Sequence, residues 1–311
     1  MHPDSPVNSR MDAQRWLKDS QASHELYNIA HLYEAGVAHA QTDPASILLD
    51  VCLKNAELLQ RDFGDGQPQI APGHPGIEMA LAKLYRQTAD RRWLGLAKFF
   101  LDARGFSNNP YNQNHKPVIQ QREAVGHAVR ANYLYSGMAD VAALAGDPRY
   151  LEAITAIWED VVGSKLHLTG GCGALADGEA YGAAYELPHQ CYNETCAAVG
   201  YLLWNQRMFL MTGDGKYLDV FERTLHNGLL SGVSLSGDRF FIRIHSLTMG
   251  KRRLTTIMLD GRHGLAAHTV RPTCCVQWPR WAVSSMPLKR IACMSICTRV
   301  VWHAWTYRAA R

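Results

Sequence analysis

The sequence lacks the features that mark membrane and secreted proteins. No apolar run approaches the roughly 20 residues that a membrane-spanning helix requires, and residues 1–6 show no basic stretch followed by an apolar one, so we predict no signal peptide. Eight cysteines at irregular spacing are too few for a disulfide scaffold in 311 residues. These absences predict a cytoplasmic protein with reduced or metal-bound thiols and no membrane partner.

Acidic residues are missing from one part of the chain. Residues 271–311 contain seven Lys and Arg and no Asp or Glu, so this segment has a net charge of +7. Because the whole chain has a net charge of +4, residues 1–270 have a net charge of −3. A basic segment with four tryptophans is an alternative candidate for a nucleic-acid surface. However, it has no helical or strand period, and its composition changes abruptly. We interpret it as sequence outside the fold and predict no nucleic-acid partner.

Helical hairpins are the main structural prediction. Apolar residues recur at helical spacing over most of residues 24–230, for example at Ile77, Leu81 and Leu84. A turn signature occurs three times, in which a small residue or Gly ends one helix, an Asp caps the next, and an aromatic–Leu pair follows. The Asp positions are 90, 147 and 214, with spacings that fit two helices per repeat. The pattern predicts an all-α chain, either a solenoid or an α/α toroid.

Two further observations refine this prediction. The polar and Gly-rich connections at residues 107–116 and 170–178 favour the toroid with a functional rim. Residues 231–241 alternate with period two between turn residues, which predicts a short strand or hairpin. The sequence after residue 241 indicates no clear element.

Zinc-type ligands occur at two places. Glu194 and Cys196 form one pair and Cys274 and Cys275 the other, and three thiols with a carboxylate suit a four-coordinate Zn²⁺. Glu179, shortly before the first pair, is a candidate general acid beside a metal-bound thiolate.

The spacing leaves a second interpretation of these residues open. Side chains at positions i and i+2 share a face only on an extended segment, so a ligand pair at 194 and 196 requires a loop before a helix near Ala197. The alternative is that Cys196 is a buried core thiol and Glu194 a charge at a helix N-terminus. Each cysteine of the 274–275 pair is open to the same explanation.

Three histidines are candidate ligands for a polar substrate. His24, His74 and His127 each stand at or near the start of a predicted helix. In an α/α toroid, residues at the same end of the inner helices converge on one cavity, and convergent polar groups suit a sugar. A lone histidine is more commonly a surface or satisfied core residue, and that alternative stays open.

A series of motifs resembles one enzyme family. The motifs run in order from residue 20 to 241 and include His24-Glu25-Leu26-Tyr27, Pro72-Gly73-His74-Pro75, Gly126-His127-Ala128-Val129-Arg130, Leu168-Thr169-Gly170-Gly171, Gly178-Glu179-Ala180-Tyr181, Tyr185-Glu186-Leu187-Pro188 and Glu194-Thr195-Cys196-Ala197-Ala198. Their order and number resemble glycoside hydrolase family 127, the β-L-arabinofuranosidase family.

The resemblance implies a fold and a set of roles. The family has an (α/α)₆ barrel followed by β-sandwich modules, and a retaining mechanism with a zinc-bound cysteine nucleophile. By this resemblance Glu179 is the general acid/base, Cys274 is the nucleophile, and the zinc ligands are Glu194, Cys196, Cys274 and Cys275. His24, His74 and His127 match sugar-hydroxyl contacts. The expected partner is an arabinofuranoside, and the expected cofactor is Zn²⁺.

The sequence also departs from the family. The motif expected after Phe241 is absent, as is the one expected after Cys275. We therefore expect residues 1–241 to form a partial, incomplete barrel. Residues 242–311 are expected to form a divergent region without the β-sandwich domains, in a chain truncated at both ends by comparison with the family. Whether this form is active is left open, and the alternative is a catalytically dead carbohydrate-binding or structural helical protein. The exact sugar, the linkage and the oligomeric state are not predicted.

Overall fold

Eight α-helices form the framework of the residues that the structure describes. The computed structural model describes residues 24–64, 66, 69–234 and the single positions 16 and 242, and it divides into two compact units, 1–163 and 164–311. The first unit contains α1 (Glu25–Ala40), α2 (Ile47–Asp62), α3 (Ile77–Thr88), α4 (Arg91–Asp102), α5 (Ala128–Ala145) and α6 (Pro148–Asp160). The second contains α7 (Thr195–Thr212) and α8 (Gly215–Arg223).

Short helical turns complete these elements. The 3₁₀ turns are Pro110–Asn112, Val118–Gln120, Asp177–Glu179 and Leu230–Gly232, and π-helical turns occupy Val161–Lys165 and Thr224–Leu229. Nowhere in the described ranges is a helix long and apolar enough to cross a membrane.

The three predicted turn signatures are the turns of the hairpins α3–α4, α5–α6 and α7–α8. Asp90, Asp147 and Asp214 are the N-cap residues, and each side chain accepts a hydrogen bond from the backbone N–H two residues later, at 3.0, 3.1 and 3.0 Å. The residue before each Asp has left-handed backbone, with φ of 58° at Ala89, 68° at Gly146 and 73° at Gly213. This conformation ends one helix and turns the chain into the next. The predicted hairpin turns are therefore confirmed.

The helices of the first unit fall into two kinds. The helices α1, α3 and α5 pack side by side, and α2, α4 and α6 each pack against the helix that precedes them. Residues 128–142 of α5 are all buried, whereas α4 buries a single face that includes Trp93 and Phe100. A helix that is buried all round lies between other elements, and one with a single apolar stripe faces water on its other side. This two-layer helical arrangement places the N-terminal ends of α1, α3 and α5 next to one another.

Two local predictions differ from the structure. The strand predicted over residues 231–241 begins instead with the 3₁₀ turn Leu230–Gly232, and extended backbone first appears at Val233. Small residues are compatible with both a period-two pattern and a tight turn. Here the π-helical turn Thr224–Leu229 continues directly into the 3₁₀ turn, so the backbone stays helical through Gly232. In addition, α7 begins at Thr195 rather than near Ala197, and Glu194 is the extended N-cap residue.

Part of the predicted organisation lies outside the described residues. This applies to residues 235–241, to Cys274 and Cys275, and to the basic segment. The predicted division at residue 241 also falls there, so it stays a prediction.

Candidate active site

The three predicted histidines come together in the first unit. His24 is the N-cap residue of α1, His127 is the N-cap residue of α5, and His74 lies two residues before Gly76, the N-cap of α3. The His24 and His74 ring centroids are 5.6 Å apart, and those of His74 and His127 are 6.4 Å apart. The packing of α1, α3 and α5 therefore gathers at one place three side chains that are about 50 residues apart in sequence.

The hydrogen bonds of two of these rings assign their donor and acceptor roles. The Nδ1 atom of His74 lies 2.8 Å from the Pro75 carbonyl, which only accepts, so Nδ1 carries a proton. Burial, reinforced by the Arg130 guanidinium, holds the pKa of His74 well below its usual value, and a neutral ring then has Nε2 as an acceptor. The Nδ1 atom of His127 accepts from the Arg130 backbone N–H at 3.5 Å, which places the His127 proton on Nε2. The two rings thus carry one acceptor and one donor nitrogen, and a hydroxyl group can bond to either kind.

A buried ion pair fixes the backbone beside His74. Arg104 and Glu78 are both fully buried, with 3.4 Å between Nη2 and Oε1. Arg104 also donates to the Pro72 carbonyl at 2.8 Å, and Glu78 accepts from the Gly76 backbone N–H at 2.8 Å. The pair therefore holds the chain on both sides of His74.

Asn112 and Arg130 extend this network. Arg104 donates to the Asn112 carbonyl at 2.8 Å, and Arg130 donates to the Asn112 side-chain oxygen at 2.6 Å and to the Gly73 carbonyl at 2.9 Å. The sequence analysis gave no role to Arg104, Asn112 or Arg130, because these hydrogen bonds join separate segments of the chain.

In the second unit, Glu179 lies on a strained turn. Leu175 and Ala180 exchange two backbone hydrogen bonds, of 3.0 and 3.1 Å, and so close the loop between them. Within the loop, Gly178 has φ of 65° and Glu179 has φ of 51°. A left-handed conformation is unfavourable for a residue with a side chain and is concentrated at functional positions. The turn thus fixes the backbone that carries the partly exposed Glu179 carboxylate.

Glu194 places a second carboxylate beside Glu179. It is the N-cap residue of α7 and is only 8% exposed. Carboxylate oxygens of Glu179 and Glu194 lie within 4.8 Å of each other. The hydroxyl of Tyr192 donates to Glu179 Oε1 at 2.7 Å and lies 3.4 Å from Glu194 Oε1.

Backbone hydrogen bonds connect the segments that carry these groups. Tyr192 donates to the Ala174 carbonyl at 2.9 Å and Asn193 to the Gly173 carbonyl at 3.0 Å. Gly171 lies where the same segments approach, and a Cβ atom there would lie 2.7 Å from Asn193 Nδ2, so a larger residue would displace that side chain. The two carboxylates are therefore held together by short links within one unit.

The donor chemistry of this group suits a metal ion. The two carboxylates belong to a compact group of possible ligand atoms, and the Cys196 sulfur is not part of that group. Cys196 is nevertheless buried and is the second residue of α7, where the helix N-terminus favours an anionic thiolate. Glu194 and Cys196, two residues apart at the α7 N-terminus, thus offer one oxygen and one sulfur donor, a combination that zinc sites use. Cys274 and Cys275, the other predicted ligands, lie outside the described residues.

Comparisons with known proteins agree with the motifs. Residues 4–278 match the family model for the β-L-arabinofuranosidase GH127 catalytic domain. A curated relative, the non-reducing end β-L-arabinofuranosidase of Bifidobacterium longum subsp. longum, is 36% identical over 247 residues, which are 71% of this chain and 38% of that protein. The range matched by the family model, residues 4–278, includes every predicted site residue.

Solved structures show the same relationship. A GH127 β-arabinofuranosidase is 52% identical, with a TM-score of 0.72, over 74% of this chain and 37% of that one. A GH127 β-L-arabinofuranosidase from Geobacillus stearothermophilus T6 is 36% identical, with a TM-score of 0.73, over 78% of this chain and 42% of that one. A cellobiose 2-epimerase from Bacillus thermoamylovorans B4167, at 13% identity and a TM-score of 0.51, shares the fold alone.

The chain spans less than half the length of the relatives that it matches. The predicted fold, all-α with the helical arrangement of an (α/α)₆ barrel, is confirmed, and the related GH127 proteins are glycoside hydrolases. With its family model matched over residues 4–278, this chain belongs to glycoside hydrolase family 127.

Proposed function

We propose that this protein hydrolyses β-L-arabinofuranosides with retention of configuration, with Glu179 as the general acid/base. The observation that carries the proposal is the Glu179–Glu194 pair, whose carboxylate oxygens lie within 4.8 Å of each other on a strained turn and a helix N-terminus. The proposed acid/base is thus held beside a second, nearly buried carboxylate. Retention is proposed from the resemblance to the family, in which the nucleophile is a zinc-bound cysteine, and Glu194 is proposed as a zinc ligand rather than as a second reacting carboxylate.

The chain's own residues account for the acid and base steps. Glu179 is partly exposed and so is accessible to a substrate, and its turn leaves little freedom to the backbone. In the first step Glu179 protonates the departing glycosidic oxygen while the nucleophile bonds to the anomeric carbon. In the second step Glu179 takes a proton from water, which displaces the nucleophile.

We propose Cys274 as the nucleophile and Glu194, Cys196, Cys274 and Cys275 as ligands of Zn²⁺. The support is the family match, which extends through both distant cysteines, and the carboxylate and thiol that stand two residues apart at the start of α7. When bound, Zn²⁺ would keep its thiol ligands deprotonated at neutral pH. Glu194 contributes negative charge, and burial limits the access of water to it.

The histidine group suits recognition of sugar hydroxyls. His74 presents an acceptor nitrogen and His127 a donor, and both rings are nearly buried. His24 borders the same group. We propose that these three side chains bind hydroxyls of the arabinofuranose ring. Cys172, Cys191 and Cys196 are not joined by disulfides, and we also propose a cytoplasmic location.

The test is turnover of an aryl β-L-arabinofuranoside by the purified chain and its variants. Glu179→Gln and Cys274→Ser should each abolish turnover while the circular dichroism spectrum stays unchanged. Glu222→Gln, which removes an exposed carboxylate of α8, is the matched control and should remain active. Zinc analysis should find about one ion per chain, and Cys196→Ala should lose it.

Different failures have different meanings. Full activity of Cys274→Ser would instead favour Glu194 as the nucleophile. Full activity of Glu179→Gln would overturn the acid/base assignment. Binding of arabinose without turnover or zinc would support the catalytically dead carbohydrate-binding protein.

A further inference from the structure

Tyr192 is a residue of the second unit to which the sequence analysis gave no role. Its hydroxyl is 2.7 Å from Glu179 Oε1 and 3.4 Å from Glu194 Oε1, and the side chain is only 8% exposed. A phenol shielded from water in this way requires a hydrogen-bond partner, and a hydrogen bond to a carboxylate is stronger than one between neutral groups. The short distance identifies Glu179 as the principal acceptor.

The backbone of Tyr192 is hydrogen-bonded beside the same loop, residues 175–180, to which its hydroxyl donates. Its N–H donates to the Ala174 carbonyl at 2.9 Å, and Leu175, the next residue, begins the loop that Ala180 closes. The side chain then reaches Glu179, 13 residues earlier in the chain, near the far end of that loop. Tyr192 therefore makes two hydrogen bonds to this loop region, one from its backbone N–H at the base of the loop and one from its hydroxyl to the Glu179 carboxylate.

We infer that Tyr192 is a positioning residue that fixes the Glu179 carboxyl group for proton transfer. The inference rests on the proposed function of Glu179 as the general acid/base. The backbone of Glu179 is fixed by its turn, but its side chain has three rotatable bonds. A hydrogen bond from a nearly buried phenol orients the carboxyl plane, and general acid catalysis depends on that geometry.

The consequence of removing the hydroxyl depends on the leaving group. An aglycone of high pKa needs protonation as it departs, whereas a dinitrophenolate leaves without assistance. We expect Tyr192→Phe to reduce kcat/KM by about 10- to 100-fold for poor leaving groups, a part of the roughly 10²- to 10⁴-fold effect of a general acid. For the dinitrophenyl substrate the loss should be less than about threefold. A defect of overall structure would lower both rates equally.

The activity test compares a series of aryl β-L-arabinofuranosides in wild type, Tyr192→Phe and Tyr201→Phe. Tyr201 is a fully buried tyrosine of α7, so Tyr201→Phe is the matched control for loss of a buried hydroxyl. In the Glu179→Gln background, which does not turn over, Tyr192→Phe should cause no further loss in the rate of the first step, measured as the single-turnover release of dinitrophenolate. Equal losses across the series, or an added loss in the Glu179→Gln background, would overturn the inference.

A substrate-independent measurement completes the test. Crystal structures of wild type and Tyr192→Phe should show the Glu179 carboxyl group ordered in the first and displaced or disordered in the second, with zinc content unchanged. An unmoved carboxyl group in Tyr192→Phe overturns the inference even if no substrate is turned over. A different result would contradict the proposed function itself: wild type would not turn over even the most activated substrate.

Discussion

The buried pair Arg104–Glu78 leads to a strong stability prediction. Replacement of Arg104 by Met keeps much of the side-chain volume but leaves the Glu78 carboxylate without its ion-pair partner at a fully buried position. Breaking a buried ion pair from one side costs about 3–5 kcal/mol. The variant also loses the hydrogen bonds to the Pro72 and Asn112 carbonyls, both of 2.8 Å. We expect the free energy of unfolding to fall by at least about 3 kcal/mol.

The assay is urea unfolding followed by far-UV circular dichroism. Arg61→Met is the matched control, because Arg61 pairs with Asp62 in the same unit but its side chain is 74% exposed. An exposed pair contributes about 0–1 kcal/mol, so the control should be nearly as stable as wild type. The double variant Arg104→Met/Glu78→Leu should be more stable than Arg104→Met alone, since it removes the orphaned carboxylate.

Two results would refute this reasoning. If Arg104→Met and Arg61→Met lost similar stability, the buried pair would not hold the loop that carries His74. If the double variant lost the sum of the stabilities that Arg104→Met and Glu78→Leu lose when each is measured alone, the two residues would act independently.

Three further predictions concern a helix cap, a histidine and a glycine. Asp90→Ala should reduce the free energy of unfolding by about 1 kcal/mol through loss of the α4 cap, whereas Asp90→Asn, which keeps the cap oxygen, should stay within a few tenths of a kcal/mol of wild type in the same urea assay. Because burial depresses the pKa of His74, the unfolded chain binds more protons than the folded one, so wild-type stability should fall as pH drops below about 6.5. Urea midpoints between pH 7 and 5 should decline less in His74→Gln, and equal slopes would contradict the assignment. Gly171→Ala should displace Asn193, whose Nδ2 lies 2.7 Å from the added methyl group, and so lower zinc content and turnover together; unchanged values for both would show that the contact relaxes.

The features that sequence predicted well are local. The hairpin turns at Asp90, Asp147 and Asp214 depend on a left-handed residue, a cap and a following apolar face, all within a few residues. The gathering of His24, His74 and His127 follows from the hairpin repeat, because each residue stands near the start of an odd-numbered helix. Glu194 occupies the same N-cap position on α7.

The features that sequence missed depend on distant residues. Glu78 and Arg104 are 26 residues apart, and nothing near either one indicates a charge buried in the interior. Tyr192 precedes Glu194 by two residues, which was the available signal, but its contact with Glu179 depends on a turn at positive φ. The start of the strand predicted over residues 231–241 was wrong, because alternating small residues also fit a 3₁₀ turn, and residues 235–241 lie outside the described residues.

The central claim is that this chain cleaves β-L-arabinofuranosides with retention, and the anomeric form of the first product tests it most directly. Proton NMR during hydrolysis of 4-nitrophenyl β-L-arabinofuranoside records that form before mutarotation. We predict that β-L-arabinofuranose appears first and that the α anomer and the other ring forms follow slowly. Initial release of the α anomer would contradict the retaining mechanism and the role of Cys274 as the nucleophile.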